Sequence, residues 1–128
     1  MARGELFPIL NVDAIAPVRS FYETVFAAEP VYQFPATGEP VYLTLRVGRS
    51  SLAIGLGAGP AMYGETPLPA TGHAVDLCIY VPDLDAAIAA APGAGGAVVV
   101  GATDTPWGER VAYLRDPQGT MLLVIADD

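Results

Sequence analysis

Apolar residues recur along the chain with two periods, and the period switches at fixed places. Residues 7–12 (FPILNV) are a short apolar run that reads as a strand. From Ile15 the spacing changes to three and four: Ile15, Val18, Tyr22, Val25 and Phe26 share one face of a helix near 15–28. Asp13 stands where a helix cap is expected, Pro17 fits only the first turn, and Glu29-Pro30 ends the element. Strands are expected at 31–35, 41–47 and 51–56. The Gly- and Pro-rich stretch 58–72 then reads as a linker.

After the linker the same order returns. Residues 74–81 (AVDLCIYV) read as a strand, and Asp83 caps a helix near 84–91 with Leu84, Ala87, Ile88 and Ala91 on one face. Pro92-Gly93 stops it. Strands are expected at 97–101, 110–115 and 120–125, the last two joined by the turn Asp116-Pro117-Gln118-Gly119. An offset of 69 places Val12 on Val81, Ile15 on Leu84, Leu45 on Leu114, Arg46 on Arg115 and Ile54 on Leu123. The chain is therefore an internal repeat of β-α-β-β-β: module one over 5–57, the linker, and module two over 73–126, forming one α+β domain across 1–128. One helix covers one face of its sheet, so the other face needs a second module, a partner chain or a ligand.

Composition narrows the chemistry. The 128 residues carry 6 basic and 14 acidic side chains, a net charge of −8. Every basic residue is Arg, which removes lysine Schiff-base chemistry and any phosphate loop built on a lysine. A single His (His73) and a single Cys (Cys78) exclude an intramolecular disulfide and a zinc site of several Cys or His ligands. So acidic a chain, with its arginines scattered, repels nucleic acid and anionic membranes. No segment reads as a signal peptide or a membrane span, so a cytoplasmic location is the default expectation.

Three motifs sit on this repeat. Val12 precedes a helix bearing Phe21-Tyr22; Val81-Pro82-Asp83-Leu84-Asp85 opens the second helix; and Pro106-Trp107-Gly108-Glu109-Arg110 is followed by the Asp116-Pro117-Gln118-Gly119 turn. In order and spacing, over residues 6–126, the chain resembles the glyoxalase/bleomycin-resistance family of the vicinal oxygen chelate superfamily. The resemblance implies two tandem β-α-β-β-β modules forming a curved mixed sheet around a cavity. It also implies a divalent metal held from the first and last strands of each module, at positions that fall on Phe7, Ile54, Asp76 and Leu123. Three of these have no donor atom, and one carboxylate cannot hold a metal that needs three or four ligands. No metal and no cofactor are therefore expected.

Strand alternation from those four positions turns Ile9, Asn11, Leu52, Leu56, Cys78, Tyr80, Met121 and Ile125 toward the cavity as well. Candidate ligand-binding residues are Phe7, Asn11, Phe34, Tyr42, Ile54, Asp76, Cys78, Tyr80, Trp107, Tyr113 and Leu123. Asp76 would meet a cation or donor on the ligand, or else be satisfied by Arg46, Arg110, Arg115 or a backbone amide. Trp107 would be an aromatic wall at the mouth, or a loop anchor. Tyr63, in the linker, would close over a site or serve a turn. Cys78 has no imidazole on its own face and reads as a small hydrophobe. The expected function is metal-free binding of a small organic molecule, an aromatic and cationic compound such as an antibiotic, by a homodimer. A metal-dependent glyoxalase- or dioxygenase-like enzyme with displaced ligands is the alternative, and a metal-independent acid/base enzyme using Asp76 is the third.

Overall fold

The structure is a computed structural model and describes residues 5–56 and 75–127. The expected linker, His73 and Tyr63 lie outside the described residues. Module one runs β1 (Ile9–Val12), α1 (Ile15–Phe26), β2 (Glu29–Phe34), β3 (Tyr42–Val47) and β4 (Ser50–Leu56). Module two runs β5 (Asp76–Val81), α2 (Leu84–Gly93), β6 (Ala97–Asp104), β7 (Arg110–Arg115) and β8 (Met121–Ala126). Both copies of the repeat fold alike. The sheets are ordered β1-β4-β3-β2 and β5-β8-β7-β6, four strands each. In each the first strand pairs parallel with the last, and the other pairings are antiparallel.

Each sheet packs one face on the helices. Val12, Leu43, Leu45, Leu52 and Ile54 of module one join Val81, Leu114, Leu122 and Val124 of module two in one core with Ile15, Val18, Phe21, Tyr22, Leu84, Ala87 and Ala91. The helices touch each other, so the two inner faces share a single apolar interior. Among the described residues, the opposite, outer faces receive no helix.

This register corrects one predicted position. Ile54 pairs with Leu10 in β1 and is fully buried in the helix-side core, not in the cavity. Leu52 lies there too, and Leu56 shares that parity. The reason is turn length. Leu45 and Leu114, 69 apart, are equivalent, but their partners Leu52 and Leu122 are 70 apart. The β7–β8 turn is one residue longer than the β3–β4 turn, and a shift of one residue exchanges the two faces of a strand. The equivalent of Leu123 is therefore Ala53.

Helix boundaries also shift slightly. Ala14, in an extended conformation, is the N-cap of α1 and supplies no side-chain bond. Asp13 sits one residue too early to cap and instead meets the Gln118 amide at 3.4 Å. Pro17 falls in the first turn, where its missing N–H costs nothing. Helix α2 is capped as expected, the Asp83 carboxylate accepting from the Ala86 N–H at 3.0 Å. It takes Pro92 into its last turn.

The motif residues join the modules. The Tyr22 hydroxyl donates to the Asp116 carboxylate at 2.8 Å, and the other oxygen of Asp116 accepts from the Gln118 and Thr120 N–H groups at 2.9 Å each. Phe21 lies so close to Gly96 that a Cβ there would stand 2.4 Å from its ring. Helix α1 of module one is thus fastened to the β6 entry and the β7–β8 turn of module two.

Candidate functional site

Strand β5 is the place where the predicted chemistry gathers. It lies at the edge of its sheet, paired only with β8, so one side of its backbone has no strand partner among the described residues. Along that edge runs a groove of about 860 Å³. Its β5 wall is Asp76–Val81 with Pro82. The opposing wall is built from module one: Leu6 and Pro8, the end of α1 at Tyr22, Phe26 and Ala27, Glu29, and residues 46–48 and 50–52 of the β3–β4 hairpin. The size falls within the range of small-molecule pockets, and the walls are mainly apolar with a few polar groups, as such pockets require.

Three predicted site residues, Asp76, Cys78 and Tyr80, line the groove. They point to one face of β5 and pair with Met121, Leu123 and Ile125. The others are placed elsewhere. Leu123 and Tyr113 lie on the outer face of the second sheet, and Trp107 is carried by the turn between β6 and β7. Asn11, Tyr42 and Phe34 lie on the outer face of the first sheet, where Tyr42 packs edge-on to Tyr32 with centroids 6.1 Å apart. Phe7 lines a smaller depression near the groove. Ile54 faces the core. Within one chain, the structure therefore does not bring the predicted set into a single pocket.

Trp107 is 73% exposed, and its indole N–H donates to Glu109 at 2.8 Å. The Glu109 N–H donates to the Thr105 hydroxyl, which braces the turn. Of the arginines offered as partners of Asp76, Arg46 pairs with Glu29 at 2.7 Å and Arg110 with Asp104 at 3.2 Å. Arg115 donates to the Gly119 carbonyl at 2.8 Å. Sequence reasoning missed the α1 and hairpin wall of the groove, because those residues meet β5 only through the packing of one module on the other.

The corrected register places Phe7, Ala53, Asp76 and Leu123 at the four positions where the family holds its metal. Phe, Ala and Leu have no lone pair to offer. Among the described residues no group of three or more His, Cys, Asp or Glu is placed to hold an ion. The residues present do not fit the metal site.

Comparison with known proteins follows the same line. An uncharacterised protein of Mycobacterium bovis is 31% identical over 118 residues, spanning 89% of this chain and 77% of its own length. A counterpart from Mycobacterium tuberculosis has the same identity, over 69% of its length. Among solved structures, TioX from Micromonospora sp. ML1 superposes with a TM-score of 0.71 at 24% identity, over 96% of this chain and 98% of its own. A lactoylglutathione lyase from Agrobacterium tumefaciens gives 0.68 at 21%, over 98% and 95%. At these identities the structural likeness is one of fold alone. The family model for the Glyoxalase/Bleomycin resistance protein/Dioxygenase superfamily matches residues 6–124. With the doubled module, the parallel first-to-last strand pairing and this match across nearly its whole length, the chain belongs to that superfamily.

Proposed function

We propose that the protein is a metal-free small-molecule-binding member of its superfamily and that it sequesters an aromatic, cationic compound, such as an antibiotic, rather than transforming it. The groove along β5 carries this reading: an apolar cleft of ligand size with the Asp76 carboxylate in its lining. A net charge of −8 favours a cation in solution. Without donors at three of the four family positions, lyase or dioxygenase chemistry lacks the Lewis acid it uses.

The binding form is a homodimer. Strands β1 and β5 both stand at sheet edges, the outer faces expose Ile9, Tyr32, Phe34 and Tyr80, and the β6–β7 turn exposes Trp107. A second copy covers these faces, which on a monomer would be an association liability.

A panel of planar cationic aromatic compounds and their neutral isosteres tests the binding reading by melting temperature. Cationic members should raise it saturably, and Asp76→Asn should weaken them more than the neutral isosteres. If only neutral or anionic compounds stabilise the protein, the cationic reading is wrong. If no compound does, binding at this groove is wrong. Elemental analysis after chelator-free purification showing about one transition metal per chain would overturn the metal-free assignment.

A further inference from the structure

Four of the five arginines in the described residues are engaged. Arg19 pairs with Glu23, Arg46 with Glu29 and Arg110 with Asp104, while Arg115 donates to a carbonyl. Arg49 is the exception: among the described residues nothing accepts from its guanidinium. It stands in the two-residue β3–β4 turn, opened by Gly48 at φ 58, a backbone that favours glycine. Beside it are Ser50 and Ser51. With Glu5, Leu6 and Phe7 these residues line a depression of about 150 Å³. Leu6, Ser50 and Ser51 also line the large groove, so the depression adjoins it.

A guanidinium and the neighbouring Ser50 hydroxyl on one hairpin end are donors that suit an oxyacid group, and Arg presents its N–H groups in a fork that matches carboxylate, sulfonate or phosphate. We infer that the Arg49–Ser50–Ser51 hairpin end is an acid-binding subsite of the groove. It takes the anionic oxyacid group of a ligand whose apolar body lies along β5. Arg46 at the same hairpin adds little, because Glu29 already neutralises it, and Glu5 opposes an anion. This rests on the groove reading above and narrows it: with Asp76 for a basic group and Arg49 for an acidic one, the groove suits an amphoteric aromatic compound.

Two fluorescent probes of nearly the same shape test the subsite. 8-Anilinonaphthalene-1-sulfonate carries the acid group, and N-phenyl-1-naphthylamine lacks it. Arg49→Gln should weaken the sulfonate about two- to fivefold, the range of an exposed ion pair, and leave the neutral probe unchanged. Ser50→Glu should act the same way by repulsion, and Glu5→Gln should tighten the sulfonate alone. Both Arg49 and Ser50 are exposed, so these variants fold as the parent does. If Arg49→Gln and Ser50→Glu change both probes equally, or neither, the subsite is refuted while the groove stands. If the parent protein binds neither probe, the subsite is refuted, and the cationic panel alone decides the groove reading.

Discussion

Tyr22 and Asp116, which the sequence places on a helix face and in a turn, join the two modules in the fold. Both are buried, and they bond to each other across the two modules. Burial, then the neighbouring Asp116 charge, then the hydrogen bond to it hold the Tyr22 phenol well above the ordinary tyrosine range. The consequence for stability has a definite sign. Below about pH 10 the phenol is protonated in both states and the contribution is complete. Above it the unfolded chain releases a proton that the folded chain keeps, so stability falls by about 1.4 kcal/mol per pH unit. Tyr22→Phe should remove this part of the alkaline limb in urea melts taken from pH 8 to 11. At neutral pH it should cost about 1–3 kcal/mol, since it leaves a buried carboxylate oxygen short of a donor. Gly96→Ala acts on the same joint. Its Cβ would meet the Phe21 ring at 2.4 Å and the Arg115 carbonyl at 2.6 Å, and backbone cannot yield cheaply there. A loss of about 1–3 kcal/mol or more is expected in chemical denaturation.

Among the elements, the two helices differ in how they begin. Asp83 satisfies an orphan N–H of α2, whereas Ala14 offers those of α1 no side-chain acceptor. Asp83→Ala should therefore destabilise by about 0.5–2 kcal/mol. Ala14→Ser should stabilise by a similar amount, because the N-cap backbone is already extended and only the acceptor is missing. Thermal melts of the two variants should move in opposite directions. The hairpins differ as well. Gly48-Arg49 closes β3–β4 in two residues, while the Asp116 turn takes one more residue and uses its carboxylate to bind two backbone N–H groups. That extra residue decides which side chains of β4 and β8 are equivalent. Counting along the repeat, the sequence shows the two modules but not the slip, because Ile54 and Ala53 are both apolar and either fits the alternation.

Over the whole molecule, a helix layer with a sheet on each side leaves two outward faces. One bears Tyr32, Phe34 and Tyr42, and the other Tyr80 and Tyr113, with Trp107 exposed on the β6–β7 turn. These groups cannot meet in one chain with the helices between them. A second copy would bury them, and Trp107 reports on this as the single tryptophan. Its emission should shift to shorter wavelength as concentration rises through the dimer dissociation range. Light scattering should give twice 13.3 kDa over the same range. A Trp107 spectrum that stays that of a water-exposed indole at high micromolar concentration, with a monomer mass, would remove the dimer.

The amino-acid pattern alone determined the doubled module, the helix and strand order, the helix-side core of β1, β5 and β8, and the lack of metal donors. Each of these follows from local periodicity or from which atoms a side chain contains. The strand ends, the face of Ile54 and the groove wall opposite β5 were decided only in the tertiary structure. They depend on turn length and on how α1 of one module seats against the other. Both are set by contacts such as Tyr22 with Asp116, 94 residues apart, and no local periodicity records a contact at that separation.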